Sequence, residues 1–196
     1  MSQRKRGKNA KSAKSDKTSK PNRRPNQVRV FVATPGDVSK ERDIVRELLE
    51  DFDLMFEGLA AINIRFVGWE TVVPSLGRAQ ELINKNLRRA DIFVGIMWNR
   101  FGSATGKFES GTEEEFNIAF DLWKARGVPW VIFYFSDMPS VLNSAEETDQ
   151  RKKVLEFKKM VQQHGLTDGY SDINEFRRKV LRHLGHVIMR ILHYQN

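Results

Sequence analysis

The chain has 196 residues, a formal net charge of +8, 40% hydrophobic residues and no cysteine. This composition is typical of a globular protein with a substantial core, and the missing cysteine excludes disulfide frameworks, thiolate metal sites and cysteine nucleophiles. No apolar run is long enough to cross a membrane, and the basic N-terminus lacks the apolar stretch of a secretory signal. We therefore expect a cytoplasmic protein without a membrane span.

The positive charge is concentrated in residues 1–27, which hold ten basic residues and one acidic residue. The remaining part, 28–196, holds 23 basic and 24 acidic residues and is almost neutral. Because residues 1–27 contain almost no apolar side chains, we predict a disordered tail there and one folded domain over 28–196. Weak polyanion binding is one interpretation of the tail. We favour a solubilising role, since no aromatic residue interleaves the charges to stack on bases.

Short apolar runs alternate with segments of helical spacing from Val28 onward. Strands are predicted at VRVFVA, INIRFVGW, DIFVGIMW and VPWVIFYF, with a weaker one near LTDGY. Helices are predicted at SKERDIVRELLEDFDLMFEGL, GRAQELINKNLRRA and SGTEEEFNIAF, and at two C-terminal segments, around Val154–Val161 and from Ile173 to Leu192. The first helix should bury Ile44, Val45, Leu48, Leu49, Phe52, Met55, Phe56 and Leu59, and the third Phe116, Ala119, Phe120 and Trp123.

Strands that alternate with helices indicate βαβ units and a parallel sheet. We expect a doubly wound, flavodoxin-like α/β fold with helices on both faces and strand order 2-1-3-4-5. In such sheets ligands bind beyond the carboxyl ends of the strands, at the switch between the first and third strands. The loops TPGD and WNRFGSATGKFESGTEEE are predicted to meet there.

Both loops carry candidate ligand-binding residues. Backbone amides of the first loop can receive a phosphate at a strand-to-helix turn, formed by Thr34, Pro35, Gly36 and Asp37. The alternative, a helix start capped by Asp37 or Ser39, is weighted equally. In the second loop Trp98 can stack on a base, Arg100 can hold a phosphate, and Gly102 and Gly106 permit close approach. The alternatives are a tryptophan that covers the sheet end, a surface arginine and a flexible turn.

Carboxylates crowd the start of the predicted helix after the third strand. Ser110 with Glu113, or Thr112 with Glu115, fits a capping box. Acidic residues in a first turn also complement the helix dipole, and we assign Glu113 and Glu114 to that role. Glu115 is expected on the side that faces the sheet, at the mouth of the crevice, where a carboxylate indicates a partner or a ligand. His183 and His186 are three residues apart, but no acidic or cysteine partner completes a set, so we expect no metal site and no cofactor.

Three segments, VFVATPGDVSKERDIV, ADIFVGIMWNRFG and SGTEEEFNIA, resemble an uncharacterised bacterial family, the domain of unknown function 4062, related to Toll/interleukin-receptor (TIR) domains. The wider superfamily includes TIR-type NAD hydrolases and nucleoside deoxyribosyltransferases, which use one glutamate early in the helix after the third strand. The deoxyribosyltransferase pattern resembles Asp-x-Gly-Thr-x-x-Glu-x-Gly-x-Ala. Here Gly111, Thr112, Glu115 and Ala119 fit it, while Glu109 and Asn117 replace the Asp and the second Gly.

The resemblance implies a TIR-like signalling or defence domain that self-associates. It implies cleavage of an N-glycosidic bond in an NAD-like nucleotide, through an oxocarbenium-like transition state. Glu115 then stabilises the cation, attacks it to form a covalent intermediate, or orients the ribose hydroxyls. Ser110, Gly111 and Thr112 are then expected to line the ligand site. The alternative is a module that binds a nucleotide or self-associates without cleaving anything, and fold analogy alone does not separate the two.

Overall fold

Five strands form one parallel sheet in the computed structural model, which describes residues 27–60, 62–68, 79–165 and 167–193. The strands are β1 (Gln27–Ala33), β2 (Asn63–Val67), β3 (Ile92–Met97), β4 (Trp130–Ser136) and β5 (Thr167–Tyr170). They pair in the order β2-β1-β3-β4-β5, all parallel. This confirms the predicted strand order, with β1 and β3 adjacent inside the sheet and a fifth strand at TDGY.

Five described helices connect and follow the strands: α1 (Ser39–Ala60), α2 (Ala79–Leu87), α3 (Gly111–Arg126), α4 (Ala145–Gln162) and α5 (Ile173–His193). β1 begins at Gln27, which pairs with Asn63 of β2, one residue before the predicted start of the domain. Residues 1–26 of the predicted tail lie outside the described residues, as do Gly77 and Arg78 at the predicted start of the second helix. The alternation of strands and helices otherwise follows the sequence-based prediction.

The helices bury both faces of the sheet, as the doubly wound fold requires. One hydrophobic cluster joins α1 and α5 to one face, and a second joins α2, α3 and α4 to the other. All six residues of β3 are buried, because a central parallel strand is covered on both sides. Two residues expected in the core are exposed, Trp123 of α3 at 36% and Met55 of α1 at 54%. Met55 lies about 100° around α1 from buried Phe56, at the margin of the apolar stripe.

Aromatic packing fixes α3 over the centre of the sheet. The Phe116 ring lies 5.4 Å from that of Phe157, 5.8 Å from that of Phe133 and 6.5 Å from that of Phe93, between ring centroids. A Cβ at Gly95 of β3 would stand 2.3 Å from the Phe133 ring, so only glycine fits there. Since Phe116 follows Glu115 directly, this packing also sets the position of the candidate catalytic residue.

Candidate functional site

A crevice of about 420 Å³ opens at the carboxyl ends of β1 and β3, where the strand order reverses. Its walls come from the turn after β1, the loop after β3, the first turns of α3, and α2. Nine of the twelve residues predicted from the sequence as catalytic or ligand-binding line it: Thr34, Pro35, Gly36, Arg100, Gly102, Ser110, Gly111, Thr112 and Glu115. Gly106 is not among them. The topology thus brings together loops that are far apart in the chain.

Glu115 is 8% exposed at the wall of this crevice. Gln80 of α2 donates a hydrogen bond from Nε2 to Glu115 Oε1 at 3.2 Å. Burial raises the pKa of Glu115 to about 7, while the Gln80 hydrogen bond and the Arg42 charge lower it and the Glu114 charge raises it further. Near neutral pH the carboxyl group is therefore divided between its protonated and ionised forms.

The helix start is formed by Ser110 and Glu113, one of the two predicted capping pairs. Ser110 is the N-cap, and its hydroxyl accepts from Glu113 N at 3.5 Å and donates to the carbonyl oxygen of Phe101. Glu113 Oε2 accepts from Glu109 N at 3.1 Å. With the N-cap at Ser110, Glu115 lies beyond the capping positions, and a Thr112–Glu115 capping box is not the geometry of this helix.

The assignment of Glu114 to the helix start was incomplete. Its side chain is 3% exposed and joins α3 to its surroundings. Asn84 of α2 donates from Nδ2 to Glu114 Oε1 at 2.8 Å, and Thr105 Oγ1 donates to Glu114 Oε2 at 2.5 Å. Glu114 therefore links α2, α3 and the loop after β3, since the packing of α2 along α3 brings Asn84 to it.

Two further residues escaped the sequence analysis: Gln80, which lines the crevice, and Arg42, which donates to Thr34 in its wall. Arg42 is 6% exposed and donates from Nη1 to Val32 O at 3.0 Å and to Thr34 Oγ1 at 2.9 Å. It therefore positions Thr34, and its charge lowers the pKa of Glu115. The available signal was its place in the first turn of α1, next to the predicted crevice. Gln80 belongs to no recognisable motif, and its contact with Glu115 follows only from the packing of α2 on α3.

Asp37 and Trp98 lie outside this crevice and line a second cavity of about 580 Å³, which Arg100 also lines. Asp37 Oδ2 accepts from the backbone N–H groups of Asn99, at 2.8 Å, and Arg100, at 2.9 Å. Its carboxylate thus joins the two loops instead of capping α1. Trp98 Nε1 donates to Met138 O at 3.0 Å, and its ring packs against the core cluster under α1 and α5, so Trp98 covers the sheet end while part of its surface lines the second cavity.

The loop after β3 is held from the side of α4. Gln150 Oε1 accepts from Phe101 N at 2.8 Å and from Gly102 N at 3.1 Å. Gly102 has φ +109° and Gly106 φ +85°, conformations that favour glycine. The backbone conformation of the loop therefore favours these two glycines, whether or not a ligand approaches them.

His183 of α5 contacts a buried tyrosine. His183 Nδ1 lies 2.9 Å from the hydroxyl oxygen of buried Tyr134. Across the described ranges no cluster of three His, Asp or Glu side chains is arranged to hold a metal ion. Nor does any described helix combine the length and apolar character needed to span a bilayer.

The fold and the crevice define a doubly wound α/β protein with a buried carboxylate at the topological switch point. A family model described as domain of unknown function (DUF4062) matches residues 29–185. The chain therefore belongs to the DUF4062 family, which confirms the membership indicated by its three segments. A search of curated proteins finds no match.

Proposed function

We propose that this protein binds an NAD-like nucleotide in the Glu115 crevice and cleaves the bond between nicotinamide and ribose, as a TIR-like signalling or defence domain. The observation that carries the proposal is the buried Glu115 carboxyl in a crevice built by the β1 turn, the loop after β3 and the start of α3. Backbone amides at such turns and helix starts bind phosphate oxygens, and the exposed Arg100 guanidinium adds a positive charge.

The reaction needs one ionised carboxylate and water. The bond between C1′ and the ring nitrogen breaks, and its electron pair neutralises the nicotinamide, which leaves as a neutral base. Glu115 stabilises the oxocarbenium-like ribose that develops. A water oxygen then bonds to C1′ and releases its proton to solvent, so the products are ADP-ribose, nicotinamide and one proton. The cationic nicotinamide of the bound substrate favours the ionised form of Glu115 by opposite charge.

Nucleotide binding without cleavage is the second candidate, and the protonation of Glu115 favours it. A carboxyl group with a pKa of about 7 is partly neutral near neutral pH, and a neutral group cannot stabilise a cation as a charge. It can instead donate a hydrogen bond to a ligand oxygen. The two candidates differ in whether nicotinamide is released.

The test is incubation of the purified full chain with NAD, with and without a crowding agent, while nicotinamide release is measured. We expect release from the unaltered protein and from Glu113→Gln, a variant of the helix start. Glu115→Gln should lose release while remaining folded, because glutamine keeps the shape without the charge. Full turnover in Glu115→Gln would contradict the catalytic role. Binding of ADP-ribose without any release of nicotinamide would establish the second candidate instead.

The proposal includes activation by self-association in the cytoplasm, and its support is the resemblance to TIR domains. If assembly activates the site, the rate of nicotinamide release per protomer should rise with protein concentration. Sedimentation under the same conditions should show the matching increase in size. A rate per protomer that stays constant across that range would remove assembly from the proposal.

A further inference from the structure

We propose that the second cavity holds the adenosine half of the same dinucleotide, and that its acidic wall selects a ribose with free hydroxyl groups. The preferred ligand is then a dinucleotide such as NAD, and 2′-phosphorylated dinucleotides such as NADP should bind more weakly. This inference rests on the proposed function, since it needs the nicotinamide half to lie in the Glu115 crevice. Its own basis is the lining of the second cavity.

One loop separates the two cavities and belongs to both. Arg100 lines each of them, at the partition, where its guanidinium suits a bridging diphosphate. The backbone of this loop is held by Asp37, from the turn after β1, and by Gln150, from α4. The two volumes, about 420 and 580 Å³, each fall in the usual range of ligand cavities. A ligand that fills both must have two bulky halves joined near Arg100.

The second cavity offers apolar surface for a base. Val141 and Leu142, from the segment after β4, line it together with the half-buried Trp98. Val141 is 82% exposed, so its apolar surface is open to a ligand. Aromatic and branched side chains of this kind pack against the flat faces of nucleobases.

The charges of this cavity discriminate between riboses. Asp37, Glu146 and Glu147 line it, and Arg100 is the basic residue among its described lining. Glu147 Oε2 accepts from Asn143 N at 2.6 Å, whereas Glu146 is exposed and has no hydrogen bond or ion pair within the described residues. A carboxylate accepts hydrogen bonds from ribose hydroxyls, as in dinucleotide-binding folds, and repels a phosphate at the same position.

The test uses the full chain and two probes that need no cleavage, ADP-ribose and its 2′-phosphorylated form, titrated by calorimetry. We expect ADP-ribose to bind about tenfold more tightly or better, the scale of one unfavourable charge contact at a partly solvated site. Glu146→Lys should reduce this preference by about tenfold. Glu156→Lys places the same charge change on the same helix, outside this cavity, and should keep the preference. Val141→Ser removes apolar surface without adding charge and should weaken both probes alike.

Equal binding of the two probes, no binding of ADP-ribose, or an unchanged preference in Glu146→Lys would overturn the inference. Nicotinamide release is measured on the same preparations, so that failure of the inference can be distinguished from failure of the proposed function. Release that requires Glu115, together with equal binding of the probes, would retain the proposed function and remove the inference. Discrimination between the probes without any release would retain the adenosine site and remove the cleavage.

Discussion

Gln80 on α2 and Glu115 on α3 meet at the wall of the crevice, where Nε2 of the first donates to Oε1 of the second at 3.2 Å. A Cβ at Gly111 would stand 3.2 Å from Gln80 Oε1, so the glycine at the start of α3 leaves space for this side chain. The buried carboxyl is thus held by a neighbouring helix and not by its own helix start. The free energy of unfolding and the protonation of Glu115 should both depend on that contact.

The buried carboxylate should make the fold less stable as the pH rises. The unfolded chain loses the Glu115 proton near 4.5 and the folded chain near 7, so between these values the folded state binds more protons and stability falls with rising pH. Glu115→Gln should therefore raise the free energy of unfolding by about 3 kcal/mol at about pH 8, and by under about 1 kcal/mol at about pH 5. Chemical denaturation at both pH values measures this.

The control for that experiment is Glu113→Gln, a half-buried glutamate of the same helix start. Its effect on the free energy of unfolding should stay below about 1 kcal/mol, as expected for a capping contact. A Glu115→Gln variant that is no more stable than the unaltered protein at the higher pH would show that the carboxyl carries no cost of burial.

The pH dependence of catalysis should report the same carboxyl group. If ionised Glu115 stabilises the ribose cation, kcat/KM should rise with pH through about 7, which is the pKa of Glu115 in the protein without ligand. Gln80→Leu removes the hydrogen bond that lowers this pKa, so the midpoint should move to higher pH. Initial rates of nicotinamide release across the pH range give both midpoints. A Gln80→Leu profile identical to that of the unaltered protein would show that Gln80 does not tune the group.

The network around Glu114 should be sensitive to the loss of one donor. Asn84→Leu leaves a buried carboxylate without the hydrogen bond from Nδ2, and we expect a loss of about 2 kcal/mol in the free energy of unfolding. Glu109→Ala breaks the exposed pair with Lys153, 2.7 Å apart, and should cost far less, because solvent screens an exposed ion pair. Urea denaturation of both variants makes the comparison, and equal losses would contradict the structural role of Glu114.

Gly95→Ala should be among the more damaging small substitutions in the sheet. The added Cβ would lie 2.3 Å from the Phe133 ring, which is buried and packed against other aromatic rings. We expect a loss of about 3 kcal/mol, measured by thermal or chemical unfolding. Gly58→Ala, in α1 with nothing within 4 Å of the new Cβ, is the matched control and should be neutral or stabilising. Similar stability of the two variants would contradict this packing.

The basic N-terminal residues should affect polyanion binding and not the fold. Deletion of residues 1–26, ending before β1, should leave the Tm of the remaining chain nearly unchanged. Retention on heparin should fall, because most of the excess positive charge is removed, and any retention should decrease steeply with salt. A large fall in Tm after the deletion would show that these residues belong to the folded part.

The sequence by itself determined the strand order, the place of the crevice and most of its lining. Apolar runs such as IFVGIM and the helical spacing between them are local patterns, and few right-handed topologies satisfy them. It did not determine which capping pair forms, because Ser110 and Thr112 both satisfy the pattern. It also missed Arg42, Gln80 and the buried state of Glu114.

Only the tertiary structure decided those points, and the physical reason is the same for each. Asn84 and Gln80, which donate to Glu114 and Glu115, lie on α2, thirty and thirty-five residues earlier in the chain, and no spacing within α3 predicts them. Burial, and with it the pKa of Glu115, depends on how α2 and the loop after β3 pack around the start of α3. The sequence marked Glu115 as a candidate, but its protonation near neutral pH follows from contacts that exist only in the folded chain.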